Sequence, residues 1–146
     1  MQGSIVDTAC AIEAGGEDQT IDIGTVPISQ LLHDGQGAEI PFQVHLINCS
    51  LDGDARRHTH WKDVHIVFDG GNEGGNLFAL YGSGRGEALI ITDAGGSRAV
   101  PGEPMPDTPL VPGNMALTYH MRVVSDRQTL RPGTFHTTVR YFMEYD

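Results

Sequence analysis

The sequence predicts an all-β sandwich. Three observations carry that expectation. The last stretch, Thr134 to Tyr145, alternates with a period of two: Phe135, Thr137, Val139, Tyr141, Met143 and Tyr145 share one phase. Ile40–Cys49 and Met115–Val124 alternate in the same way, as half-buried strands do. Glycine, proline and aspartate turn signals separate these runs, and only one short segment has room for a helical turn. At 146 residues the chain is long enough for one real core and short for two, so 1–146 is read as a single domain.

In chain order, Gly3 to Ile12 reads as a strand carrying Cys10, and Gly15-Gly16 turns it. Thr20 to Ile23 is a short strand ended by Gly24. Pro27 to Leu32 is the one candidate helical turn, with Ile28, Leu31 and Leu32 inward. Ile40, Phe42, Val44, Leu46 and Asn48 share a phase, whereas Cys49 falls in the other phase with Ile47. Leu51 to His60 is a polar loop, and Val64, Ile66 and Phe68 mark the next strand, closed by Asp69-Gly70-Gly71. Asn72 to Gly86 is glycine-rich around the apolar run Leu77–Tyr81; Glu87 to Thr92 is a strand turned by Asp93–Gly96. Pro101, Pro104, Pro106, Pro109 and Pro112 make Val100–Gly113 an extended connection. Two long strands, 115–124 and 134–145, close the chain. The total is about seven or eight strands, the number of a sandwich. A strand that ends a chain needs a neighbour on each side or leaves an apolar edge open.

Nine Lys and Arg against 19 Asp and Glu give a net charge of −10 and a pI near 4.9. That excludes a nucleic-acid stripe and disfavours an anionic membrane surface. No apolar run approaches the roughly 20 residues of a membrane span, so no membrane insertion is expected. The chain opens at Met1-Gln2-Gly3 without a signal-peptide pattern, which reads as a mature or trimmed start. Cys10 and Cys49 leave two alternatives open. They are free core thiols, or they form a bond closing a loop of about 40 residues, worth roughly 4 kcal/mol on a chain-entropy account. A bond implies the periplasm or the cell exterior, and the phase of Cys49 then requires a strand end, a twist or a bulge.

Few residues suggest chemistry. His58, His60 and His65 are close in sequence, but spacing places no carboxylate or cysteine ligand beside them. Gly82-Ser83-Gly84-Arg85-Gly86 lacks the strand–loop–helix order of a phosphate cradle and reads as a flexible turn. Asp52-Gly53-Asp54 is too short for a calcium loop. Trp61 and Tyr81 suggest a sugar platform or simple packing. No catalytic residue, metal site or cofactor is expected.

Taken in order, Gly3-Ser4-Ile5-Val6, Ala9-Cys10-Ala11-Ile12, Ile23-Gly24, Phe42-x-Val44-x-Leu46-x-Asn48-Cys49, Val67-Phe68-Asp69-Gly70, Gly133-Thr134-Phe135 and the closing Tyr141, Met143 and Tyr145 resemble the pilin subunits of the chaperone–usher pathway, the type 1 and P fimbrial family. Met105-Pro106, Pro109-Leu110, Ala116-Leu117, Tyr119 and Arg122 are similar to the subunit type that ends the P-pilus rod at its base. The resemblance implies an incomplete immunoglobulin-like sandwich lacking its last strand, with Cys10 and Cys49 bonded. It implies a groove between the first and last strands, lined by Ile5, Val139, Tyr141, Met143 and Tyr145. That groove accepts a strand from a periplasmic chaperone and then from a neighbouring pilin subunit, during export through an outer-membrane usher to a surface fimbria. The N-terminal donor-strand extension of the family is read as absent. The alternative is a sugar-binding adhesin domain of similar sandwich architecture.

Overall fold

The computed structural model describes residues 9–13, 18–25, 37, 39–51, 60–74, 77–125, 131 and 133–146, with the backbone alone at 18–25 and 138. Among the described residues eleven strands follow one another: β1 Ala11–Ile12, β2 Asp18–Thr25, β3 Ile40–Cys49, β4 Asp63–Asp69, β5 Asn72–Gly74, β6 Leu77–Ala79, β7 Tyr81–Gly82, β8 Glu87–Asp93, β9 Thr108–Pro109, β10 Gly113–Ser125 and β11 Thr134–Tyr145. No helix occurs among the described residues. The candidate turn at 27–32 lies outside them, as does Asp52-Gly53-Asp54.

One sheet has the order β1-β3-β10-β8-β6-β5 and the other β2-β11-β4-β9, with β7 also pairing β11. All pairs are antiparallel. The inward phase of each long run fills the space between the sheets: Val44 and Leu46 of β3, Val64, Ile66 and Phe68 of β4, Leu89 and Ile91 of β8, and Phe135 and Val139 of β11 are all buried. At the centre, the Phe68 ring meets Tyr119 edge-on at 5.0 Å and Phe42 at 6.0 Å, an arrangement that favours aromatic pairs.

The puzzle of Cys49 has a local answer. On β10, Gly113 and Met115 stand opposite Cys49 and Leu46, so β3 carries one residue more than its partner between those pairs. The extra residue is a β-bulge. Asn48 takes it up with φ +54, a left-handed conformation that asparagine tolerates better than most residues. The Asn114 side-chain oxygen accepts from the Asn48 backbone N–H at 3.1 Å. The bulge reverses the alternation: Leu46 is buried, Asn48 exposed and Cys49 buried again. Cys49 is thereby turned inward and bonded to Cys10.

Two expectations change in detail. Gly24 does not end its strand. It sits at a register shift where Phe135 pairs Gly24 and His136 pairs Asp22, a usual place for a strand glycine. The glycine-rich stretch is not a flexible turn but a clasp on the start of β11. Arg85 and Arg131 exchange backbone hydrogen bonds at 2.9 and 3.1 Å, and Ser83 Oγ accepts from Thr134 N–H at 3.1 Å. A Cβ on Gly84 would overlap the Phe135 ring, so the close approach requires glycine there.

Candidate functional site: the half-covered edge of β11

The last strand is not an edge strand over its whole length. It lies inside its sheet. β2 pairs with Thr134–Arg140 on one side, and β4 pairs with Arg140–Tyr145 on the other. The described part of the β2 ladder reaches Arg140, opposite Asp18; residues 14–17, just before Asp18, lie outside the described residues. Beyond Arg140, among the described residues, no strand pairs with Phe142–Tyr145 on that side.

Burial follows the ladder. Along the inward phase, Phe135, Thr137, Val139 and Tyr141 are buried, then Met143 and Tyr145 are only half-buried. The alternation therefore runs past the last described β2 pair. Near this end lies the first described segment, 9–13. Ala9–Glu13 runs along the end of β3, with Ala11 opposite Ile47, Ile12 opposite Leu46, and Ser50 N–H donating to Ala9 O at 2.8 Å. The chain then crosses to the other sheet as β2. Segment 9–13 belongs to one sheet and Phe142–Tyr145 to the other. A described hydrogen bond spans them: Tyr145 Oη donates to Cys10 O at 3.2 Å.

Ile12, Leu51, Trp61, Met115, Met143 and Tyr145 are among the half-buried apolar side chains that pack against the core. The Trp61 ring stands 6.1 Å from that of Tyr145, and the Trp61 backbone N–H donates to Leu51 O at 2.8 Å. Burial raises the Tyr145 hydroxyl above the ordinary phenol value. Deeper in the sandwich, burial and then the charge of Asp93 push Tyr119 much further the same way.

Of the residues expected to line a groove, Met143 and Tyr145 sit at the uncovered end. Tyr141 is 7% exposed at the boundary, its ring 6.0 Å from Phe68. Val139 lies where β2 covers the strand, opposite Gln19, and is a core residue. Ile5 lies outside the described residues. Sequence reading missed Ile12, Leu51 and Met115; the signal for Leu51 was one apolar residue opening a polar loop.

The other candidates disperse. Trp61 stands beside Tyr145, whereas Tyr81 is 6.3 Å from His136, nine positions away on β11 and so roughly 30 Å distant along an extended strand. They cannot form one sugar platform. His58 lies outside the described residues, His60 is exposed, and His65 sits on β4 among carboxylates. The N–H groups of Gly84 and Arg85 donate to Thr134 O and Arg131 O, so they are not turned to a phosphate.

No family model matches the chain. It is 30% identical over 145 residues to the PRS fimbrial minor pilin protein of Escherichia coli, which covers 99% of this chain and 74% of that protein. The chain belongs to the fimbrial pilin family. The PAP fimbrial minor pilin protein of E. coli is 29% identical over the same shares of each chain, and the major MR/P fimbria protein of Proteus mirabilis is 28% identical over 98% of this chain and 80% of its own. The pilin fold is matched by the P pilus rod subunit PapA, with a TM-score of 0.79, 22% identity, and coverage of 95% of this chain and all of that one. A subunit of a chaperone–usher pilus studied for rod uncoiling gives a TM-score of 0.81 at 23% identity, covering 100% and 93%. Pilins of this family are structural proteins, and this chain is a fimbrial subunit rather than an enzyme.

Proposed function

We propose that the uncovered half of β11 and the chain's first segment are the walls of a groove that accepts a β-strand from another polypeptide. The observation that supports this reading is the change of burial along β11: the inward alternation runs to Tyr145, but Met143 and Tyr145, past the last described β2 pair at Arg140, are only half-buried. An added strand in the gap extends the ladder along Phe142–Tyr145 and covers Met143, Tyr145, Trp61 and Leu51. Backbone hydrogen bonds supply affinity and alternate side chains set the register, the mode of strand addition that chaperone–pilin complementation uses. Ile5 belongs to the opposite wall in this reading. The strand comes first from a periplasmic chaperone and then from a neighbouring pilin, as the subunit passes the outer-membrane usher to the cell surface. The two minor-pilin relatives support a minor position, and the sequence pattern around Met105 and Leu117 supports the base of the rod.

The energetics make the groove consequential. Each buried unpaired backbone group costs about 1–3 kcal/mol, against a net domain stability of about 5–15 kcal/mol. The isolated chain is therefore expected to be marginal or self-associating. A peptide with alternating apolar residues, added in trans, raises its melting temperature, and the scrambled peptide does not. Met143→Asp abolishes the peptide's effect. A monomer that melts high and ignores the peptide means the groove is already filled or collapsed.

A further inference from the structure

The outer face of the second sheet carries a cluster that the pilin reading does not use. Val64 pairs with Thr108 on β9, and His65 pairs with Glu144 on β11. The register thus sets Glu144 on β11, His65 on β4 and Asp107, the residue just before β9, in a row. Asp146, two residues past Glu144, joins them on the same face. The ring of His65, with its side chain 15% exposed, is held between them. Nε2 lies 3.0 Å from Glu144 Oε1, while Nδ1 lies 3.1 Å from Asp107 Oδ1 and 3.4 Å from Asp146 Oδ2.

A neutral imidazole has one N–H to give. With Nε2–H donated to Glu144, the Nδ1 lone pair faces two carboxylate oxygens: three acceptors converge on one point with no donor among them. A cation resolves that conflict. Ligand atoms about 2.0–2.2 Å from a tetrahedral Zn²⁺ stand about 3.4 Å apart, close to the separations found from Nδ1 to the two carboxylates. The three ligand atoms lie within 4.8 Å of one another. A ring nitrogen with its opposite N–H held by a carboxylate is the usual support of a zinc-bound histidine. One imidazole with two carboxylates suits Zn²⁺ better than Ca²⁺ or Mg²⁺, which prefer all-oxygen sites.

We propose that His65 Nδ1, Asp107 and Asp146 form a divalent-cation site of zinc type, with Glu144 orienting the imidazole and solvent completing the coordination. The site ties β4, the approach to β9 and the end of β11 together on the outer face, independently of what fills the groove. Sequence reading set His65 beside His58 and His60, whereas the fold gives it ligands about 40 and 80 residues further along the chain.

A proton on Nδ1 is the competing occupant, and titration with zinc separates the two. The full chain, stripped with chelator, is titrated with ZnCl₂ by calorimetry. The expected result is one Zn²⁺ bound per chain. Asp107→Asn, at a half-exposed loop position where folding is confirmed by circular dichroism, weakens binding at least about tenfold. Glu144→Gln weakens it about 10–100-fold, and His45→Gln, on the exposed face of β3, leaves it unchanged. Two results overturn the proposal: no zinc binding, which leaves a protonated imidazole among carboxylates, or binding unaltered by both Asp107→Asn and His65→Gln, which places the metal on other histidines.

Discussion

Thr134–Arg140 and Phe142–Tyr145 belong to one strand and one alternating pattern, yet their surroundings differ. The first half lies against β2 and closes the core with Phe135, Thr137 and Val139. The second half has β4 on one side, and its inward residues Met143 and Tyr145 are half-buried. The difference comes from the neighbours and not from composition. Side-chain alternation records which face is apolar; ladder pairing decides whether that face is covered.

The largest effect expected from this comparison is on stability. Phe135→Ala, in the covered half, removes a ring packed on Gly84 and costs about 3–5 kcal/mol. Met143→Ala, in the uncovered half, costs about 1 kcal/mol, since only part of its side chain leaves water on folding. Urea denaturation of the two variants tests the contrast, and equal losses would mean that the two halves are equally packed.

The disulfide comes next. Cys10 holds the first segment at the lip of the gap, and replacing both cysteines by alanine costs about 2–4 kcal/mol. The same change loosens the wall that Tyr145 reaches, so strand-peptide binding should weaken further than Phe135→Ala makes it. Peptide affinity at a temperature where both variants remain folded checks this.

Much of the fold is legible in the sequence because long strands repeat their pattern. In β10, Leu117, Tyr119, Met121 and Val123 are buried as the alternation requires. Short elements leave a weaker record: β5, β6 and β7 together span a stretch that reads as glycine-rich around one apolar run, with no strand boundaries. Alternation is also silent about neighbours. Nothing in Asp18–Thr25 says that it joins the sheet opposite β1 and pairs with the start of β11, so the neighbours of the last strand could not be read from the sequence. The bulge at Asn48 is half-legible. The phase conflict of Cys49 shows in the pattern, whereas its resolution needs the Asn48 backbone. The row of Asp107, His65 and Glu144 is invisible in sequence because register alone assembles it.

That bulge supplies a smaller test. Asn48→Val forces a β-branched residue into the left-handed region at a cost of about 1–2 kcal/mol, while Asn48→Gly is nearly neutral. A reversed order would remove the account of how Cys49 turns inward. Smaller again is Tyr145→Phe, which deletes the hydrogen bond to Cys10 O and costs about 0.5–1.5 kcal/mol. Because that bond bridges the uncovered end, its loss should change peptide binding while leaving protection of Thr134–Arg140 untouched.

The central claim is that the second half of β11 is an unfilled place in a sheet. Hydrogen exchange read by mass spectrometry tests it most directly, on the chain with an alternating apolar strand peptide and with its scrambled control. The account predicts that the matched peptide slows exchange across Phe142–Tyr145 and along Ala9–Glu13, with Thr134–Arg140 unchanged because β2 already pairs it. Exchange at Phe142–Tyr145 that is already slow without peptide, or that slows equally with the scrambled sequence, contradicts it.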